Sequence, residues 1–136
     1  MQKRAILNKK KIISSLKVEL SGHPEIIFAY LHGSFLEGKY FRDIDVAIFV
    51  DEEKVPKDKA LDCELALGTE LHFAMGYQVD IKILNYAPLG FKYYASKGKL
   101  LMNKDDELRV DFLCYVWSRY FDYAIKSKEF LLEMLP

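Results

Sequence analysis

What this sequence lacks narrows it first. No apolar run approaches the roughly 20 residues that a bilayer crossing needs, so no membrane span is expected. The first residues carry neither a long apolar core nor a cleavage site, which argues against a secretory leader. Cysteine is scarce. Cys63 and Cys114 stand far apart with no metal-ligand spacing, which excludes a disulfide framework and a Cys-based zinc site. They read as buried free thiols in a reducing compartment, and the expected location is the cytoplasm. His23, His32 and His72 fit no zinc motif either. Neither sign of charge is in excess: 20 basic and 20 acidic residues leave a formal net charge of zero. A generic binder of nucleic acid or of membrane surfaces shows a strong basic balance, so neither partner is expected. Internal repeats, low-complexity segments and linkers are absent.

What is there suits a single domain spanning residues 1–136, with 51% hydrophobic residues to build its core. Residues 3–20 read as a helix, because Ile6, Ile13, Leu16 and Leu20 recur at helical spacing with lysines opposite. Those lysines are either a solvated face or a phosphate-facing one. Ser21-Gly22-His23-Pro24 closes the helix, with Gly22 as its cap. Residues 25–32 (EIIFAYLH) and 43–50 (DIDVAIFV) read as strands. A helix is expected from Pro56 to about residue 75, with Leu61, Leu65, Leu67 and Leu71 among its apolar positions and Gly76 as its stop. Residues 77–84 (YQVDIKIL) alternate well: Val79, Ile81 and Ile83 fall on one face, Gln78, Asp80, Lys82 and Leu84 on the other. A short helix over 88–98 and a short edge strand over 99–102 follow.

A last helix is expected over residues 105–134, capped by Asn103 or Asp105. It is rich in aromatics: Phe112, Tyr115, Trp117, Tyr120, Phe121, Tyr123 and Phe130. Its apolar residues cover more than one face, so a single sheet cannot bury them all. Either the helix is wedged in its own core or part of it is a partner surface.

The stretch that carries chemistry is HGSFLEGKYFRDIDVAIFV, from His32 to Val50. Asp43 and Asp45 stand at i and i+2 of a strand, so both side chains leave by the same face, with Cα atoms roughly 6.5 Å apart. Two carboxylates that close repel, by about 4 kcal/mol at 4 Å and an effective dielectric of 20, so a cation is expected between them. Oxygen-only ligands suit a hard ion such as Mg²⁺, which takes one or two carboxylates and completes its shell with water and substrate phosphates. Asp80 lies on the less apolar face of the next strand. It either reaches the same site or faces solvent beside Lys82. Carboxylates from adjacent strands can hold a pair of metal ions about 3.5–4 Å apart across a reacting phosphate. Gly33-Ser34 ends the preceding strand, and the turn offers backbone N–H groups and a hydroxyl to phosphate oxygens. His32, next to it, is either structural or a phosphate contact.

Taken together, HGSFLEGKYFRDIDVAIFV followed by QVDIKIL resembles the minimal nucleotidyltransferase (MNT) family, a branch of the DNA polymerase β-like nucleotidyltransferase superfamily. The resemblance spans residues 26–84, and the long last helix is similar in placement. It implies an α/β (α+β) fold, a mixed sheet of about four strands flanked by helices. It implies Mg²⁺, with two ions expected, and ATP as substrate. Carried onto this sequence, Gly33 and Ser34 hold the triphosphate, Asp43 and Asp45 bind the metal, and Asp80 binds the catalytic ion and activates the attacking hydroxyl. Small members of the family often act as antitoxins of HEPN-domain ribonuclease toxins, some by transferring AMP to the toxin and others by binding alone. A HEPN toxin is therefore the expected partner, with homo-oligomers an open possibility. Two features depart from the family pattern. The spacer between Ser34 and Asp43 holds eight residues where relatives commonly carry ten, and Glu37 stands where many have Arg. Lys39 or Arg42 is the expected compensating cation.

Overall fold

The computed structural model describes residues 2–38 and 43–135, with all their side chains except those of residues 2–7 and Glu37. The strands are β1 (Ile26–His32), β2 (Asp43–Val50), β3 (Gln78–Ile83) and β4 (Lys99–Asn103). They form one sheet of order β3-β2-β1-β4. β1 runs antiparallel to both β2 and β4, while β2 and β3 are parallel, so the sheet is mixed as expected. A parallel pair needs a crossover. Helix α3 (Ala60–Met75), entered through a 3-10 turn at Lys57–Lys59, supplies it. The remaining helices are α1 (Gln2–Ser21), the short α2 (Ser34–Glu37), α4 (Leu89–Ser96) and α5 (Asp106–Glu133).

Both faces of the sheet are covered. On one, Ile44, Val46 and Ile48 of β2 and Val79, Ile81 and Ile83 of β3 pack with Leu16 and Leu20 of α1 and Leu67 and Leu71 of α3. On the other, Phe28, Tyr30 and Ala47 pack with Ala95 of α4, and Phe49 with Phe112 and Leu113 of α5 close the layer. Phe28 stacks on Phe49 at 4.7 Å between centroids and meets Phe112 at 5.6 Å. Burying a side chain of this size contributes about 1.5–3 kcal/mol. The alternation read in β3 is borne out, since Val79, Ile81 and Ile83 are buried while Gln78, Asp80 and Lys82 are exposed.

Local chemistry explains the ends of the elements. Gly76 takes the left-handed conformation (φ 78°) and its N–H reaches the His72 carbonyl at 2.8 Å, ending α3. Asp105 caps α5 by accepting the Leu108 N–H at 3.1 Å. The Asn85 amide pairs with both backbone groups of Val50, at 2.9 and 2.8 Å, and so extends β2 by one side chain. On the free edge of β3, the Ile83 N–H is taken by a Glu64 carboxylate oxygen at 3.0 Å.

Two expectations, the Gly22 cap and the buried thiols, need correction, and two points left open are now described. Gly22 is not among the positive-φ glycines, so α1 ends at Ser21 without a left-handed cap there. Leu61 and Leu65 are exposed, because α3 turns Leu67 and Leu71 to the core instead. Neither free thiol is buried: Cys63 is half-buried and Cys114 is exposed. Of the two readings left open for the last helix, a wedge in its own core along its whole length is not what is seen, since only Val116 of it is buried.

Candidate active site

The site is built where β1, β2 and β3 end on the same side of the sheet. Strand β1 stops because Gly33 adopts φ 83°, a conformation that side-chain-bearing residues avoid. A Cβ at this position would also lie 2.4 Å from the Asp45 carboxylate oxygen Oδ2. The glycine thus lets the chain turn and lets the carboxylate rest against its backbone. The turn continues into α2, whose Leu36 N–H returns to the Gly33 carbonyl at 3.1 Å and whose end is closed by Gly38 N–H to Ser34 at 2.9 Å. Phe35 is buried beneath it, leaving the Ser34 side chain exposed on the outer surface. Lys9 of α1 anchors the turn from behind. Its ammonium donates to the Gly38 carbonyl and lies 5.3 Å from the centre of the Phe35 ring.

Strand register places the acids. Asp45 sits opposite His32 of β1 on one side and opposite Asp80 of β3 on the other. Residues in register on paired strands leave by the same face, and adjacent strands are about 4.8 Å apart. Asp43 is two residues before Asp45 on the same strand and therefore shares that face. The structure brings Asp43, Asp45 and Asp80 to one face, beside the Gly33-Ser34 turn. His32 completes the row, with Phe91 of α4 edge-on to its ring at 5.3 Å. Past this row the face is closed by α4 and α5. A groove of about 570 Å³ between α3 and β3 adjoins the row, its lining including Gln78 and Asp80.

Electrostatics single out Asp45. Burial raises its pKa above the usual carboxylate value; the neighbouring His32 opposes this, and the charges of Asp80 and Asp43 add to it. His32 is lowered by burial, against the pull of Asp45, which favours a neutral ring. Among the described residues, no lysine or arginine pairs with any of the three acids. Asp80 receives a long contact from the Gln78 amide, at 3.4 Å. Among the described residues, no group of three or more His, Cys, Asp and Glu side chains is placed so that it could by itself hold a metal ion. The chemistry of the row, oxygen-only carboxylates on one face crowded by like charge, suits a hard divalent cation that fills the rest of its shell with water and substrate phosphate. The residues fit Mg²⁺ on those terms.

The sequence did not point to Lys9 as the support of the turn, because that contact joins positions 29 apart and no local pattern announces it. The side chain of Glu37, and Lys39 and Arg42 altogether, lie outside the described residues.

A family model described as polymerase beta, nucleotidyltransferase, matches residues 10–107, and the chain belongs to that family. The match takes in both halves of the acidic row and the turn before it. Solved structures share the fold over nearly the whole length. One is a toxin–antitoxin complex, MntA-HepT, at 20% identity over 96% of this chain and 98% of that one, with a TM-score of 0.60. Another is a toxin–antitoxin structure with AMP-PNP, at 21% identity over 95% and 99%, with a TM-score of 0.63. A third is a tri-AMPylated HEPN toxin of Shewanella oneidensis in complex with an MNT antitoxin, at 21% identity over 100% of both chains, with a TM-score of 0.61. No curated protein matches the sequence. Among the described residues, no helix is long and apolar enough to cross a membrane.

Proposed function

We propose that the chain is a Mg²⁺-dependent nucleotidyltransferase that moves AMP from ATP to a hydroxyl of a HEPN toxin, and so acts as an antitoxin. The observation that carries this reading is the row Asp43, Asp45 and Asp80 on one face, against the Gly33-Ser34 turn. The fold relatives described with AMP-PNP and with an AMPylated toxin support it.

Each residue has a separable task. The Ser34 hydroxyl and the turn backbone hold phosphate oxygens. Asp43 and Asp45 hold the divalent cations, two in this reading. These supply charge neutralisation on the reacting phosphate when bound. Asp80, at the open edge of the row, helps to hold the catalytic ion and takes the proton of the acceptor hydroxyl as its oxygen attacks the α-phosphorus. The bond from that phosphorus to the bridging oxygen breaks, and pyrophosphate leaves. The rigid strand, anchored by Ile44, Val46 and Ile48, fixes the carboxylates before substrate arrives, so catalysis rests on positioning and electrostatics. The site is cytoplasmic in this reading, where ATP and Mg²⁺ are supplied.

The test is transfer of label from α-labelled ATP to the toxin in the presence of Mg²⁺. Wild-type chain labels the toxin, and Asp43→Ala and Asp45→Ala do not, while both retain the wild-type circular dichroism spectrum. Undiminished labelling by both variants would refute the assignment. The eight-residue spacer and Glu37 favour a second reading, neutralisation by binding alone. It predicts that toxin is silenced without ATP and that Asp43→Asn and Asp45→Asn leave the silencing intact.

A further inference from the structure

His32 is the one member of the row to which the proposed function gives no task. It stands opposite Asp45 in the pairing of β1 with β2, as Asp80 does in the pairing of β2 with β3. The three side chains therefore cross one face of the sheet in the order Asp80, Asp45, His32. The outer two are two strand spacings apart, roughly 9.6 Å between Cα atoms. Packing holds the imidazole in place. Phe91 of α4 meets it edge-on, at 5.3 Å between ring centres and 85° between planes. Among the described residues, the histidine rings that form hydrogen bonds are those of His23 and His72; the His32 ring forms none, although the charge of Asp45 acts on it. No buried side-chain nitrogen or oxygen among the described residues lacks a partner, so the unpaired nitrogens of His32 reach the open site. An imidazole donates from at least one nitrogen whether or not it is charged, so a donor is present there in either state.

The direction of the reaction gives that donor a target. In transfer at phosphorus the attacking and leaving oxygens lie roughly in line through the phosphorus atom. The proposed function puts the attacking hydroxyl at Asp80, on the β3 side of Asp45. The leaving oxygen then lies on the other side of Asp45, toward β1, where His32 stands. The Gly33-Ser34 turn, which holds phosphate oxygens in the same reading, follows His32 directly in the chain, so the phosphates beyond the leaving oxygen are on this side too. Past the row, α4 and α5 close the face and leave the end of β1 as the open course for the phosphate chain.

We propose that His32 is the leaving-group contact of the transfer reaction: a ring N–H donates to the oxygen that bridges the α- and β-phosphates of ATP and meets the charge that collects there. The inference rests on the proposed function for the identity of the reaction. In the step, the acceptor oxygen forms its bond to the α-phosphorus and its proton passes to Asp80. The bond from phosphorus to the bridging oxygen breaks, and its electron pair stays on the departing pyrophosphate. His32 transfers no proton. Its hydrogen bond strengthens as negative charge grows on the acceptor atom, so it stabilises the transition state more than bound ATP.

Calorimetry reads the contact without catalysis. Pyrophosphate and AMP, each with Mg²⁺, are titrated separately into the full-length wild type, into His32→Phe, which keeps a ring against Phe91 and removes the donor, and into His32→Gln, which keeps an N–H. His32→Phe should bind pyrophosphate about tenfold more weakly, the effect of one hydrogen bond to a charged group, with AMP binding unchanged. His32→Gln should recover most of the loss. His32→Ala is the second donor-free variant should the added ring disturb folding, which circular dichroism monitors. Toxin labelling supplies the kinetic readout. ATP analogues with a difluoromethylene or a methylene group between the β- and γ-phosphorus differ in leaving-group acidity, and the gap between their rates should widen in the donor-free variants. A merely structural role for His32 would leave that gap as it is in wild type, and this result would overturn the inference. So would unchanged pyrophosphate affinity in both donor-free variants, equal weakening of AMP, or a wild-type chain that binds no pyrophosphate. Failure of the catalytic reading alone looks different: pyrophosphate binds in a His32-dependent way, yet the wild-type chain labels no toxin.

Discussion

The two ends of β2 differ sharply although they share a face. Asp43 and Asp45 leave the strand on the same side as Ala47 and Phe49. Ala47 and Phe49 lie beneath α4 and α5 in an aromatic layer with Phe28 and Phe112. Asp43 and Asp45 stand where that cover stops, beside a turn made possible by a glycine. One half of the strand is therefore committed to stability and the other to binding. The difference arises from where the helices end rather than from any change in the strand. Carboxylates placed there are held by a rigid sheet and yet open to a ligand, and the charges of Asp80 and Asp43 that help to raise the pKa of Asp45 are ones a bound cation would counter.

Substitutions at the two ends should separate these roles. At the open end, Asp45→Ala should lower AMP transfer by about a thousandfold or more, equivalent to about 4 kcal/mol of transition-state stabilisation, with little change in melting temperature. At the covered end the reverse holds: Phe28→Ala should cost about 3–5 kcal/mol in a urea titration, and activity per folded molecule should survive. Gly33→Ala sits between the two. It forces a left-handed φ on a side-chain-bearing residue and drives a Cβ against the Asp45 carboxylate, so it should lose about 1–2 kcal/mol of stability and most of the transfer activity together. A Gly33→Ala protein with wild-type activity would show that the close approach to Asp45 is dispensable.

The smallest effect lies away from both ends. Arg109, through its hydrogen bond and charge, holds the Asp106 carboxyl below its usual pKa. A depressed carboxylate contributes stability that is present above its unfolded pKa of 3.8 and is lost as pH falls through the folded value. Asp106→Asn should therefore lower the melting temperature slightly at pH 7. The gap from wild type should close on acidification below that range. A gap that persists in acid would assign the effect to the Asn103 and Arg109 contacts rather than to charge.

Much of this contrast can be read from residues alone, and some of it cannot. The strict alternation of Val79, Ile81 and Ile83 against Gln78, Asp80 and Lys82 fixes which way Asp80 points relative to its own core face. The Asp-x-Asp spacing does the same for Asp43 and Asp45. What no local pattern reveals is register. That Asp45 lies opposite Asp80, and His32 opposite Asp45, depends on how strands far apart in the chain are paired. The same holds for Lys9, which looks like one of several solvated lysines until α1 is laid beside α2. Leu61, Leu65 and Cys114 look like core residues by type, and they face solvent because each helix has a single face to bury. That the apolar residues of α5 cover more than one face is legible, but where its cover ends is not, since that depends on the elements packed against it.

The most direct measurement is an anomalous-scattering map of crystals grown with Mn²⁺ and a non-hydrolysable ATP analogue. The account predicts metal density bounded by the carboxylates of Asp43, Asp45 and Asp80, with the analogue's phosphates reaching back to Ser34. Manganese bound elsewhere, or a nucleotide whose phosphates lie away from these aspartates, would contradict it.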